Sequence, residues 1–514
     1  MSLTNNGKEN IARQGGRILV NMLSSNQVQQ TSSLHALHNL STLDDNAAIL
    51  IDFGILPALM DILFSTRQDI SSETKELAAL TVANIVSKSG HWELAFADKE
   101  GHQIQSEFII CKLLDVLSNS SSRCQAAVLH ILCGIASSPR ASDTTASCIE
   151  RNDGVKYVVQ YLEHPEVEHR VYAFRLLNRL SEKLGQVLVE DLRASEKIMS
   201  LRVKLLDTHS SLEERCEIAG LLANLPLSDD EVKTVLGYDL LSWIIGNIRE
   251  QQSSLSGRNS RRVRRMMEGL LGLLLHYARS LDRTVIALVQ ENQLMSIFQE
   301  QLSGHSHSRV KQRAALGLKY LSEFVRVSVA TELLEPQPPE GLCSPFILLC
   351  GKAQMVPILC PLHNVPCDKD NSFCLLKGNA IKPLVDLMND ENMDAQFAAV
   401  EALSTLVLDV QNLRNAKEEL EQLGVFDAAI HLFKEVRPGR LQEKVAFMVE
   451  RFFQVEAIAQ DYTIDQGLVM ALVGAMRHGN ANTKMHAQGA LAHLQVLSGV
   501  GGKNSSNQGR RPNR

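Results

Sequence analysis

Aromatic residues are scarce in this chain. They make up 5% of its 514 positions, with two tryptophans. Sheet cores lean on aromatic and β-branched side chains, so a sandwich or barrel is disfavoured and leucine and alanine must do most of the apolar work. A basic surplus is missing as well: the formal net charge is −6, the wrong sign for a dedicated nucleic-acid binder. The opening MSLTNNGKENIARQGGRILVNML has no apolar stretch of signal-peptide length. No apolar run approaches the ~18 residues of a membrane-crossing helix. Ten cysteines without a secretory signal read as reduced thiols, and the expected location is cytoplasmic.

What is present is a recurring block. SSLHALHNLS (32–41), AALTVANIVS (78–87), AFRLLNRLS (173–181), AGLLANLPLS (219–228), RAALGLKYLS (313–322), AVEALSTLVLD (399–409) and GALAHLQVLS (489–498) share one style. Looser copies stand at 130–137, 269–278 and 447–455. Each is apolar at i, i+3, i+4 and i+7 and nearly apolar all round, as a helix buried between helices must be. The last apolar anchors are Leu40, Ile85, Ile135, Leu180, Leu225, Leu274, Leu321, Leu406, Phe452 and Leu494. Their spacing runs from 42 to 50 residues, with one step of 85 between Leu321 and Leu406. That period matches two- or three-helix solenoid repeats, which run about 40–47 residues.

A glycine opens a new apolar helix upstream of four anchors, at Gly54, Gly154, Gly424 and Gly467. A left-handed turn there would end one helix as the next begins. Such helix pairs bury their faces only by stacking on neighbours. The expected fold is an all-α solenoid of about ten repeats. The expected divisions are a flexible tail (1–10), repeats (11–331), an insertion (332–375), further repeats (376–498) and a disordered tail (499–514).

LHNLS, VANIV and LANLP resemble the third-helix pattern of armadillo repeats. ALHNLSTLDDNAAILIDFGILPALMDIL (36–63), ERCEIAGLLANLPLSDDEV (214–232) and CPLHNVPCDKDNSFCLLKGNAIKPLVDLM (360–388) resemble, more specifically, the C-terminal array of plant U-box/armadillo ubiquitin ligases, senescence-associated subgroup. The likeness covers roughly residues 11 to 498. It implies a right-handed armadillo superhelix that binds other proteins, such as ubiquitination substrates or regulators of immunity and senescence. The family's ligase chemistry resides in a U-box, whose Cys-Pro-Ile, Asp-Pro-Val and Gly-x-Thr-Tyr signatures do not occur in this chain. The resemblance is therefore to the binding half, and ligase activity is not carried over. A stand-alone adaptor or competitor, outside ubiquitin transfer, is the alternative reading.

In such arrays, third-helix asparagines bond the backbone of an extended peptide, because an amide side chain donates and accepts at once. Asn39, Asn84 and Asn224 stand one residue before their anchors, and Asn178 one position earlier. Gly134, Leu273, Tyr320 and Thr405 interrupt the ladder. A ligand role and bonding within the array both remain open for these asparagines.

The long step holds a segment that breaks helical periodicity at Pro336, Pro338, Pro339, Pro345, Pro357 and Pro361, and it also contains Cys343 and Cys350. It ends in CPLHNVPCDKDNSFC, where Cys360, His363, Cys367 and Cys374 form a chemically valid structural zinc set. Packing of the thiols as small apolar groups is the competing reading. A catalytic metal is not indicated, and no other cofactor is expected. SGRNSRRVRRMMEG gathers Arg258, Arg261, Arg262, Arg264 and Arg265. These could meet an acidic partner or anionic headgroups at the plasma membrane, against the plainer reading of a solvated loop. His305 and His307 share a loop without a metal pattern. GGKNS in the tail lacks the strand and spacing of a phosphate-binding loop. No nucleophile–base arrangement stands out.

Overall fold

One residue in a left-handed conformation is the pivot of many of the repeats. The computed structural model describes residues 4–88, 90–254, 261–302, 306–332, 359–367 and 373–497. In its plainest copy, helix Asp44–Asp52 ends, Gly54 takes φ 76°, and helix Ile55–Leu63 leaves at 87° to the first. A loop then leads to the long third helix, Ser72–Lys88. The same left-handed step precedes the second helix at Asp153 (φ 53°), Glu196 (57°), Gln293 (54°), Asn379 (53°) and Gly424 (75°). The glycine expectation therefore holds at Gly54 and Gly424 and shifts elsewhere. At the second site Asp153 makes the turn, while Gly154 begins the helix with room for no Cβ, which would meet Ile149 at 3.0 Å. Gly467 lies inside helix Gln466–His478, whose entry is capped by the Asp465 carboxylate accepting from Leu468 N at 2.9 Å.

The third helices form the core, labelled α1 to α10 in chain order. The chain divides into two units, each a stack of such repeats. Unit 1 comprises Met1–Leu236 with Ser260–Gly269. It contains α1 (Gln27–Leu40), α2 (Ser72–Lys88), α3 (Ser122–Ala136), α4 (Val167–Ala194), α5 (Leu212–Asn224) and the first half of α6 (Arg261–Arg279). Within α4 the backbone leaves helical values at Leu184, so its second half already belongs to the next repeat. Unit 2 comprises Gly237–Asn259 with Leu270–Arg514. It holds the rest of α6, α7 (Ser308–Glu332), α8 (Met393–Ser404), α9 (Arg440–Phe453) and α10 (Ala481–Leu497). All ten sequence anchors are buried; the most exposed is Leu406 at 6%.

The long step is one repeat carrying extra chain. Helix α7 lies against α8, with Ser322 and Thr405 hydroxyls 2.9 Å apart and Lys319 Nζ 3.4 Å from Glu401. Leu321 and Leu406 are thus neighbours in the stack, not the ends of two normal repeats. Helix Asn5–Met22 corrects the first boundary: it begins inside the stretch expected as a tail, capped by Thr4 Oγ1, which accepts from Gly7 N at 3.2 Å. Residues 333–358, with Cys343 and Cys350, lie outside the described residues, as do Arg258, His305 and 499–514.

Third helices approach closely because small residues line their contacts. A Cβ on Gly134 would stand 2.8 Å from Val86, one on Gly220 2.6 Å from Asn178, and one on Gly269 2.8 Å from Ala219. No strand occurs among the described residues, which contain a single isolated bridge between Phe96 and Gln103. No single described helix is long and apolar enough to cross a membrane. The bent pair that passes that test jointly, Asp44–Asp52 with Ile55–Leu63, is core: Leu50, Ile55 and Leu59 are fully buried.

Candidate functional site

In unit 1 the third helices flank a cleft of about 530 Å³ that crosses α2, α3, α4, α5 and α6. Helix α2 contributes Val86 and Ser87, and α3 contributes His130, Cys133, Gly134 and Ser137. Arg175 and Arg179 come from α4, Glu213 and Cys216 from α5, and Arg261, Arg262 and Arg265 from the start of α6.

The wall is held by carboxylates from α5. Glu217 is buried, and its Oε1 accepts from Arg175 Nε at 2.9 Å and from Arg265 Nη1 at 2.7 Å. Its Oε2 accepts from Asn178 Nδ2 at 3.2 Å. Arg175 also pairs with Glu213, and Arg262 lies 3.9 Å from Glu213. Next to them, Glu214 (1% exposed) receives a two-pronged bond from Arg170, at 2.7 and 3.1 Å. Burial works against the charge on Arg175, but the Glu217 carboxylate overrides it and holds the pKa above the ordinary guanidinium range. Five arginines face two carboxylates, Glu213 and Glu217, so the cleft keeps a surplus of positive charge in a chain of net charge −6.

Neutral groups make up the rest. His130 stacks on Tyr172 with ring centres 4.4 Å apart. Burial lowers its pKa to about 4, with Arg175 adding to the effect, so the ring is uncharged at neutral pH. Burial also pushes the Cys133 and Cys216 thiols up to about 12. They stay protonated and donate to the carbonyls of Tyr172 and Arg262. A thiol held neutral is a poor nucleophile.

The other ends of α2, α3 and α4, with His35 of α1, line a second groove of about 260 Å³. There Glu73, Glu76, Glu166 and Glu168 outnumber Arg123. Unit 1 therefore carries an acidic groove near the N-terminal ends of α2, α3 and α4, and a basic cleft lined by the C-terminal parts of α2 and α3, the middle of α4 and the starts of α5 and α6.

The asparagines expected to form a ladder divide. Asn39 is exposed near the end of α1. Asn84 Nδ2 donates to Ser41 Oγ at 3.1 Å, joining adjacent repeats. Asn178 has both ends of its amide engaged, donating to Glu217 and accepting from Asn224 Nδ2 at 3.2 Å. The interruptions have local causes: Gly134 has no room beside Val86, Leu273 is fully buried, Thr405 meets Ser322, and Tyr320 lies 5.7 Å beneath the Arg279 guanidinium. Of the arginine cluster, Arg261, Arg262 and Arg265 line the cleft, and Arg264 is exposed. The carboxylates of α5 had not been singled out from the sequence, although EERCE inside an otherwise apolar helix is a visible signal.

In unit 2 the four metal-type residues converge. One ligand atom from each of Cys360, His363, Cys367 and Cys374 lies within 4.8 Å of all the others. His307 is described but belongs to no such group.

No family model matches the chain. U-box domain-containing protein 43 of Arabidopsis thaliana is 28% identical over 98% of this chain and 62% of its own length. U-box domain-containing protein 24 of Oryza sativa subsp. japonica is 27% identical over 97% and 63%. Over nearly its whole length the chain is similar to plant U-box domain-containing proteins. It spans a little under two thirds of the length of these two relatives. Among solved structures, an engineered protein aligns over 93% of this chain and 98% of its own, with a TM-score of 0.50 and 17% identity. At that identity the likeness speaks to the solenoid fold alone. A designed armadillo repeat protein covers 50% of the chain at a TM-score of 0.38, too low to add to it.

Proposed function

We propose that this solenoid is the recognition part of a plant U-box-type ubiquitin ligase, and that the arginine-lined cleft of unit 1 holds an acidic segment of a substrate or regulator. The carrying observation is the cleft itself: five successive third helices line it, and arginines from two of them present guanidinium groups suited to carboxylate or phosphate oxygens. The separate acidic groove on α2, α3 and α4 would favour basic residues in any part of a partner that reaches it. The turn of Arg261, Arg262 and Arg265 into a cleft supports a protein ligand over a membrane surface, which would be met better by a convex basic face. Ubiquitin transfer enters this reading through the U-box relatives, and a stand-alone adaptor remains its rival.

The test is charge reversal at the exposed pair, Arg261→Glu with Arg262→Glu, which spares the buried Glu217 bonds. Proteins co-purifying with the wild-type chain from plant extract should fall at least tenfold with the variant, at an unchanged melting temperature. An unchanged set of partners would overturn the cleft as the binding site. The mass of the endogenous protein, probed with an antibody to 360–388, separates the rivals. A band near 56.9 kDa favours an adaptor, and a larger one favours a ligase.

A further inference from the structure

The second cluster has the dimensions of a metal site. Cys360 Sγ lies 3.8 Å from Cys374 Sγ and 3.7 Å from His363 Nδ1, and Cys367 Sγ lies 3.3 Å from the same nitrogen. A tetrahedral zinc with Zn–S of ~2.3 Å and Zn–N of ~2.0–2.1 Å has ligand-to-ligand edges of about 3.8 Å between sulfurs and about 3.5 Å between sulfur and nitrogen. The observed edges fall close to those values. A disulfide would need ~2.05 Å between Cys360 and Cys374, and both are free thiols.

The backbone is shaped to present these ligands. Cys360 N donates to Val365 O and Asn364 N to Cys360 O, both at 2.8 Å, and Asn364 takes a left-handed φ of 56°. This tight turn brings Cys360 and His363 to one side. Beyond Cys374, the bond from Gly378 N to Cys374 O at 2.8 Å and the left-handed Asn379 lead directly into helix Ile381–Leu387. Cys360 and Cys374 are buried, while His363 and Cys367 are half-buried, which leaves a route for a metal to enter.

We propose that Cys360, His363, Cys367 and Cys374 bind one structural zinc ion, and that this metal-pinned turn stands in for the first helix of its repeat. In the repeat at 44–88 a helix precedes the left-handed pivot and covers the third helix. Here the described residues 360–367 and 373–378 occupy that position ahead of Asn379. Leu362 and Leu375 are buried, and with His363 they close on Ser322 of α7 and on Thr405 and Leu406 after α8. Phe373 packs on Phe324 of α7, ring centres 6.0 Å apart. The described parts of this segment form no helix, and four metal bonds would supply the rigidity that helical hydrogen bonds give elsewhere. Binding converts the three thiols to thiolates and releases their protons to solvent; no electron transfer is involved.

The experiment uses the full chain with any affinity tag removed, purified under reducing conditions with trace zinc. Elemental analysis should give one equivalent of zinc per chain, all of it released by a mercurial. Cobalt(II) added to metal-free protein should give the intense visible bands of a tetrahedral site and thiolate charge transfer in the near ultraviolet. The variant Cys360→Ser with Cys374→Ser should lose more than nine tenths of the metal, whereas Cys133→Ser should keep it. A chelator should lower the wild-type melting temperature. Less than a tenth of an equivalent in wild-type protein, with no cobalt spectrum, would overturn the proposal in favour of apolar thiol packing. A Cys360–Cys374 disulfide found by mass spectrometry of protein purified without reductant would overturn it equally. Because both readouts are taken on the wild-type chain, misfolding of a variant cannot blur the outcome.

Discussion

Arg175 and Arg265 meet on a single oxygen of Glu217, at 2.9 and 2.7 Å, although they sit on helices α4 and α6 on either side of α5. This carboxylate ties three successive third helices of unit 1 together. Removing it would leave two guanidinium groups facing each other in a partly buried wall. Breaking a buried pair by deleting one partner costs about 3–5 kcal/mol. Glu217→Ala should therefore lose about 3 kcal/mol in urea unfolding, while Glu213→Ala, whose carboxylate is 40% exposed, should lose less than about 1 kcal/mol. Equal losses for the two would mean that Glu217 is not the keystone described.

His130 gives the cleft a pH signature. Its pKa is about 4 in the folded chain, against 6.5 for an unperturbed imidazole, chiefly because burial disfavours the charged ring and secondarily because Arg175 is near. Between pH 6.5 and 4 the unfolded chain binds a proton that the folded chain refuses, so stability falls as pH drops through that window. The total effect is at most about 3 kcal/mol. Melting temperatures measured from pH 7 to 4.5 should fall less steeply for His130→Phe than for wild type. Parallel slopes would place the titration elsewhere.

The repeats were legible because burial between helices leaves a period in the residues: all ten anchors chosen from that period are core. The pivots were less so. Glycine advertises a left-handed turn at Gly54 and Gly424, but Asp153, Glu196 and Gln293 adopt the same conformation without being glycine. Of these, Glu196 and Gln293 lack even the enrichment for that region that Asn and Asp show. The charged wall was hidden for a different reason. An isolated Glu214 or Glu217 in a helix reads as surface, and its burial makes sense only once Arg170, Arg175 and Arg265 arrive from helices about 40 residues away. The metal-type cluster was legible as a set of ligands, but its convergence depends on a turn that local sequence does not specify.

Gly134 tests whether the gap in the asparagine ladder is steric. Restoring the repeat pattern with Gly134→Asn would push a side chain into Val86, where even a Cβ stands 2.8 Å from Cγ2 and 3.2 Å from the backbone oxygen. Overpacking of this kind typically costs about 1–3 kcal/mol. The variant should be destabilised by about 2 kcal/mol, and Val86→Ala in the same chain should recover part of the loss. A neutral Gly134→Asn would show that α2 and α3 can separate freely.

Two glycines with similar surroundings should respond with opposite signs. Nothing lies within 4 Å of a Cβ built on Gly424 or on Gly474, so sterics with neighbours do not distinguish them. Backbone conformation does. Gly424 has φ 75° at a helix-to-helix pivot, where an L side chain costs about 1–2 kcal/mol. Gly474 lies in the middle of helix Gln466–His478, where glycine is worse than alanine by about 0.5–1 kcal/mol. Gly424→Ala should lower the urea midpoint, and Gly474→Ala should raise it. If Gly424→Ala proves neutral, the pivot tolerates the side chain as Asp153 and Gln293 do, and the turn is then set by packing of the flanking helices rather than by the residue that makes it.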